Sequence, residues 1–211
     1  MAGSVDLSLF DNTRDSNYQV GRSFAVRSAW FLIGLPILRS QFLPSSAIRR
    51  MLLQWFGADI GPGVVIRPGV RVKFPWKLKL GKCCWLGEDC WIDNLERVTL
   101  GDHVCLSQAS YLCTGSHDWT DPAFKLITRP IQIHDGAWIA ARASVGPGSV
   151  IGRHAVVAFG SVVTGNVPAN EIHGGNPATF IKRREIAGAD DAQRPGLRST
   201  SQEQAFAARA K

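Results

Sequence analysis

No stretch of the 211 residues is apolar for long enough to cross a bilayer; the longest run, Ala29 to Leu38, is half of the roughly 20 residues required. The opening segment also lacks the basic start and apolar run of a secretory signal and carries Asp6, Asp11 and Asp15 instead, which argues against export. A disulfide framework is missing too. The cysteines, Cys83, Cys84, Cys90, Cys105 and Cys113, are odd in number and crowded into mid-chain, which suits a reducing, cytoplasmic setting. Charge is scarce, at 19% of residues, but unbalanced: the net charge is +7 and the pI about 9.5, which favours an anionic partner such as nucleic acid, an acidic membrane surface or a phosphate-bearing cofactor. No interleaving of cations with aromatics, zinc-finger spacing or RNA-binding motif is present, so nucleic acid is not expected. The 45% hydrophobic content is enough to bury one medium core.

What the sequence does have is a period of six. Ile60, Ile66 and Val72 are spaced by it, as are Leu80, Leu86 and Ile92, then Leu100, Leu106 and Leu112. A longer run follows through Ile133, Ile139, Val145, Ile151, Val157 and Val163. Four positions after these aliphatics come small or modest side chains: Val64, Val70, Cys84, Cys90, Val104, Ser110, Ala137, Ala143, Ser149, Ala155 and Ser161. Both sets are expected to face inward. Glycine directly follows the aliphatic at Gly61, Gly81, Gly87, Gly101, Gly146 and Gly152, where a tight corner is expected to need freedom in φ.

Six residues make one short strand and one corner, and three such units close a triangular coil whose neighbours pair in parallel about 4.8 Å apart. Roughly five or six coils are expected. Two-residue slips around Pro75 and Trp76, and around Glu96 and Arg97, read as corner bulges. Helices are excluded here because Gly and Pro recur in every window, at a cost of roughly 1 to 3 kcal/mol each in a helix interior.

Residues 22–56 are different, with Phe24, Trp30, Phe31, Leu32, Ile33, Leu35, Ile37 and Leu38 preceding Ile48, Met51, Leu52, Leu53, Trp55 and Phe56. They predict two short amphipathic helices split around Pro36 and Pro44. These either cap the open end of the coil stack or make a subunit contact. Alternatively they bind a membrane surface through Arg22, Arg27, Arg39, Arg49 and Arg50, which would place the protein at the inner face of the membrane. Residues 1–21 are expected to form an N-terminal tail and residues 184–211 a mobile C-terminal one.

The period breaks between Leu112 and Ile133, and Cys113-Thr114-Gly115-Ser116-His117-Asp118 stands at the entrance of the insertion. Insertions in repeat scaffolds carry the specific function, because the repeats position them. His103 and His154 share one corner position, His134 replaces a corner glycine and His173 lies in the closing segment. His117 alone sits at the base of the insertion.

These repeats, over about residues 57–183, resemble the hexapeptide-repeat acyltransferases. Thr114-Gly115-Ser116-His117, Ala137-Trp138-Ile139, Val145-Gly146-Pro147-Gly148, Gly160-Ser161-Val162-Val163-Thr164 and Gly175-Asn176-Pro177-Ala178 are similar to the galactoside, maltose and nodulation-factor branch of sugar O-acetyltransferases. Ile66-Arg67-Pro68, Pro75-Trp76 and the run from Tyr111 to Asp118 resemble the branch of colanic-acid-type exopolysaccharide synthesis more closely.

The resemblance implies an all-β fold, a left-handed parallel β-helix with a short N-terminal helical segment and a protruding loop at 115–130. It implies a homotrimer with sites at subunit interfaces, acetyl-CoA as acyl donor, a saccharide acceptor and no metal. His117 matches the loop histidine that accepts the acceptor hydroxyl proton, a task that suits an imidazole with an unperturbed pKa near 6.5. Asp93 falls where relatives carry Asn near the acceptor, and Asn94 and Asp118 are further candidates for acceptor contact. Trp138, Ala141, Phe159 and Thr164 match positions along the coenzyme groove, although Phe159 stands where a small residue is usual and Gly165 where Lys is common. Lys182, Arg183 and Arg184 are placed to meet coenzyme phosphates.

Other readings of the same scaffold remain. Transferases acting on serine or an amino sugar use it, as does a non-catalytic trimeric scaffold. A γ-class carbonic anhydrase needs three zinc-binding imidazoles, and His117 has no partner histidine at the required spacing. A covalent acyl-enzyme through Cys113 or Ser116 is a further route.

Overall fold

The computed structural model describes residues 6–9, 18–43 and 45–186. Most of the tails expected over residues 1–21 and 184–211 lies outside these residues.

Between Asp59 and Val163 the chain winds as a parallel β-helix of triangular section. Among the described residues the three faces hold five, seven and five strands, and a separate two-stranded hairpin projects from the stack. Each coil advances the chain by one rung in strict register: Ile60 lies beside Leu80, Leu80 beside Leu100, Leu100 beside Ile133 and Ile133 beside Ile151. Equivalent ladders run through Ile66, Leu86, Leu106, Ile139 and Val157, and through Val72, Ile92, Leu112, Val145 and Val163. All fifteen aliphatics and the small residues four positions after them are buried. Fully burying a side chain of this kind contributes about 1.5 to 3 kcal/mol, so the ladders hold the prism together.

The corners are made differently from the expectation. The left-handed residue is the third after the aliphatic, and non-glycines supply it at Cys83, Asp89, His103, Ala109, Arg142 and His154, with φ between 54° and 58°. The glycine directly after the aliphatic instead makes room for the next coil. A Cβ at Gly61 would lie 2.8 Å from the Gly81 carbonyl carbon, a distance that forces the backbones apart.

Two of the period slips form the third corner in the first two coils. Pro75–Lys77 is a single 3-10 turn. In the next coil, Asn94 is fully buried; it accepts from the Phe74 N–H (2.9 Å) and donates through Nδ2 to the Phe74 carbonyl (2.7 Å). That amide clamps one corner to the other.

Both N-terminal helical segments are present, but the first continues through Pro36 to Arg39 instead of dividing there. The first runs through α1 (Phe24–Ala29), a π-helical turn (Trp30–Gly34) and α2 (Leu35–Arg39), and the second is α3 (Ser46–Trp55). Trp30 is fully buried on the first coil and donates its indole N–H to the Val72 carbonyl (3.2 Å). Ser46, Arg50 and Gln54, spaced by four on α3, bond to the edge of that coil: Ser46 Oγ accepts from Ile66 N–H (2.8 Å), while Arg50 and Gln54 donate to the carbonyls of Val64 and Ile60 (3.3 Å each). The otherwise unpaired strand edge is thus satisfied.

Arg49 corrects part of the surface-charge reading. It is fully buried and donates to the carbonyls of Leu38 (3.3 Å), Ser40 (2.9 Å) and Leu43, tying the interhelical loop to α3. Desolvation lowers its pKa.

Candidate active site

The insertion is a hairpin that leaves the third corner of the third coil. Gly115–His117 pairs antiparallel with Leu126–Thr128, placing His117 opposite Leu126. Gly115 permits this exit, because a Cβ there would lie 2.7 Å from Leu95 Cδ1. The tip is pinned locally. Asp118 Oδ1 accepts from the backbone N–H (2.9 Å) and hydroxyl (2.6 Å) of Thr120, bonds that hold its carboxyl below the usual range. Asp121 pairs with Lys125 (3.4 Å), and the Asp6 N–H reaches the Pro122 carbonyl (2.9 Å), so part of the N-terminal segment touches the loop.

His117 is held on two sides. Its ring stacks on Phe124, with centroids 4.3 Å apart and planes 7° from parallel. Nδ1 lies 2.8 Å from the Phe124 carbonyl oxygen. A carbonyl can only accept, so Nδ1–H donates and Nε2 is the unprotonated nitrogen of the neutral ring.

Asp93 lies directly beside Cys113, four residues ahead of His117, on the neighbouring coil. Its carboxylate meets Lys73 Nζ (2.9 Å) and accepts from the Tyr111 hydroxyl (3.3 Å). Asn94 next to it, a candidate for acceptor contact, is fully buried and spends both ends of its amide on Phe74. Cys113 directs its thiol to the Gly115 carbonyl (3.2 Å), within the turn into the hairpin.

The positions matched to a coenzyme groove fall into two places. Trp138, half-exposed with its indole N–H on Ser107 Oγ (2.8 Å), shares a lateral row with Val156, Ile172 and Lys182. Three strand spacings separate Trp138 from Lys182, about 14 Å. Ala141 and Phe159 stack at one corner, where the Gly160 N–H donates to the Ala141 carbonyl (3.0 Å). Phe159 projects outward at 68% exposure, and Thr164 is exposed at the following corner. Apart from the adjoining residues of the chain, no atom lies within 4 Å of where a Cβ would sit on Gly160 or Gly165, so this backbone borders open space.

Lys182 and Arg183 lie exposed on the closing hairpin of Glu171–Gly175 with Ala178–Arg183. Arg184 does not join them. It donates to the carbonyls of Gly136 and His154 (3.1 Å each) and is a structural clip across two corners. His103 and His154 occupy equivalent left-handed corners, and His173 pairs with Glu171 (2.9 Å). Among the described residues no three His, Cys, Asp or Glu side chains converge as a metal site.

A β-helix of six-residue units with one imidazole fixed on a corner hairpin is the class this structure defines. The family pattern described as bacterial transferase hexapeptide (six repeats) matches residues 130–165. A putative colanic acid biosynthesis acetyltransferase of Escherichia coli K12 is 46% identical over 136 residues, 64% of this chain and 75% of that one. The galactoside O-acetyltransferase of the same strain is 27% identical, over 67% of this chain and 70% of its own. A hexapeptide-repeat acetyltransferase of Vibrio cholerae O1 biovar eltor, solved with acetyl coenzyme A, superposes with a TM-score of 0.69 at 26% identity, covering 77% of this chain and 88% of that one. The chain therefore belongs to the hexapeptide-repeat acetyltransferases, within which its similarity extends to the colanic-acid type.

Proposed function

We propose that this acetyltransferase moves the acetyl group of acetyl-CoA to a hydroxyl of a saccharide in the synthesis of an exopolysaccharide or another cell-surface glycan, with His117 as general base. The observation that carries the reading is the fixed tautomer of His117, since a base must present an unprotonated nitrogen to the hydroxyl it serves. Nε2 takes the hydroxyl proton as the oxygen attacks the thioester carbonyl; the acetyl–sulfur bond breaks, and the same proton is available to the departing thiolate. Asp93, held by Lys73, accepts a hydrogen bond from the acceptor, and Asn94 acts from behind by fixing the corner. Asp118 shapes the loop and borders the acceptor.

The row from Trp138 to Lys182 suits the pantetheine arm, with Ala141, Phe159 and Thr164 along the open border and Lys182 and Arg183 for the phosphates. The relatives named for acetyl coenzyme A, colanic acid and galactoside support this donor and acceptor class. A homotrimer completes each groove against a neighbour, and light scattering should return three times the 23.0 kDa chain mass. Residues 22–56 supply a membrane-surface contact: Phe24, Leu32, Phe42 and Trp55 are at least 76% exposed, and no carboxylate occurs between Asp15 and Asp59. Among the described residues no helix is long and apolar enough to cross a membrane.

Radiolabelled acetyl-CoA offered with saccharide, glycolipid, serine and amino-sugar acceptors tests the function. Transfer to a saccharide hydroxyl that His117→Ala abolishes is the expected result. Near-parental turnover by that variant rejects the base, and loss of all transfer in Cys113→Ser would instead favour an acyl-enzyme.

A further inference from the structure

Away from the hairpin, α2 packs against the strand Arg71–Val72, and an open trough lies between them. One part is a cleft of about 500 Å³ bordered by Arg39, Gln41, Arg71 and Asp89; the adjoining part, about 260 Å³, reaches Lys73, Trp91 and Asp93. Both share Phe31, Leu35, Arg39 and Arg71 as walls. The combined space falls in the range of small-ligand sites.

We propose that this trough binds an anionic group, a carboxylate or a phosphoryl group, carried by the acceptor; the assignment to the acceptor rests on the saccharide reading above. Charge balance is the first argument. Lys73 and Asp93 neutralise each other, and Arg39 and Arg71 outnumber Asp89 two to one. Neither arginine has an ion-pair partner among the described residues. Preorganisation is the second. The Arg71 guanidinium lies 4.8 Å above the Trp91 ring, which itself rests 4.8 Å from Tyr111. That seat over the ring restrains the guanidinium, whose N–H groups can fork onto a carboxylate or phosphate. Position is the third. Asp93, placed above beside the acceptor hydroxyl, closes the near end, so one ligand can span reacting and charged groups.

Calorimetric titration of the catalytically silent His117→Ala protein with glucuronic acid, glucose 1-phosphate and glucose tests this without needing turnover. Glucuronic acid or glucose 1-phosphate should bind about ten-fold or more tightly than glucose, and whichever is preferred names the anion. Adding Arg39→Gln and Arg71→Gln should bring the anionic probes to within about two-fold of glucose, with Arg71→Lys retaining part of the preference. Equal affinity for all three probes, absence of binding by both anions, or a preference that survives the double substitution would each overturn the proposal. Acetyl-transfer assays answer separately for the function, because the titration reads binding alone.

Discussion

The first three coils and the last two are wound from the same six-residue unit, yet they part company at the third corner. In the early coils that corner swells into the 3-10 turn at Pro75–Lys77, the Asn94 clamp and finally the hairpin bearing His117. In the late coils Val145 passes to Ile151 in six residues with nothing added. Regular corners bring ladders into register and add stability. Swollen corners leave room for side chains outside the ladders, and the base proposed above, His117, sits on the largest of them.

Substitutions at the two kinds of corner should separate these roles. His117→Ala is expected to lower kcat about 10²- to 10⁴-fold while leaving the melting temperature within error, measured by steady-state transfer and calorimetry on one preparation. A matching fall in stability would mean that the hairpin also holds the fold. In the regular part, Leu106→Ala removes a fully buried ladder residue and should cost about 2 to 5 kcal/mol in denaturant unfolding, with kcat of the folded fraction unchanged.

Asn94→Ala falls between the two. It strands the Phe74 N–H and carbonyl in the interior, at about 1 to 3 kcal/mol for each group, and loosens the corner that carries Asp93, so stability and acceptor KM should both suffer. Arg142→Gly, at an exposed left-handed corner with φ of 58°, should stabilise the protein by about 0.5 to 1 kcal/mol, read as a raised melting temperature with unaltered transfer.

The smallest effect concerns pH. Burial pushes the Cys84 thiol from its ordinary 9.0 up to about 11, so its contribution to stability is complete below pH 9 and drains away as pH rises toward 11. Thermal melts across that interval should show the loss, and Cys84→Ala should flatten it.

The period of six disclosed the ladders because burial repeats with the backbone, and each aliphatic of that period is a buried rung. It did not disclose the corners, whose left-handed residue is chemically varied; Cys83, His103 and Arg142 share a conformation that composition does not announce. His117 stood out by register, since it is where the repeat breaks. The Phe124 carbonyl that sets its tautomer was hidden, because a loop's internal path depends on turns such as the one Asp118 makes with Thr120. Arg49 and Arg184 misled for one reason. A sequence shows a cation as charge, whereas both guanidiniums are spent on backbone carbonyls.

A parallel stack has no inherent last member: each coil is a template for another. Here α3 covers one terminus with Ser46, Arg50 and Gln54, and the antiparallel hairpin of Glu171–Gly175 and Ala178–Arg183 turns back the other. Those two stops make the solenoid a molecule of fixed length instead of a seed for fibres. Unseating α3 would turn a closed coil into an adhesive end for its own copies.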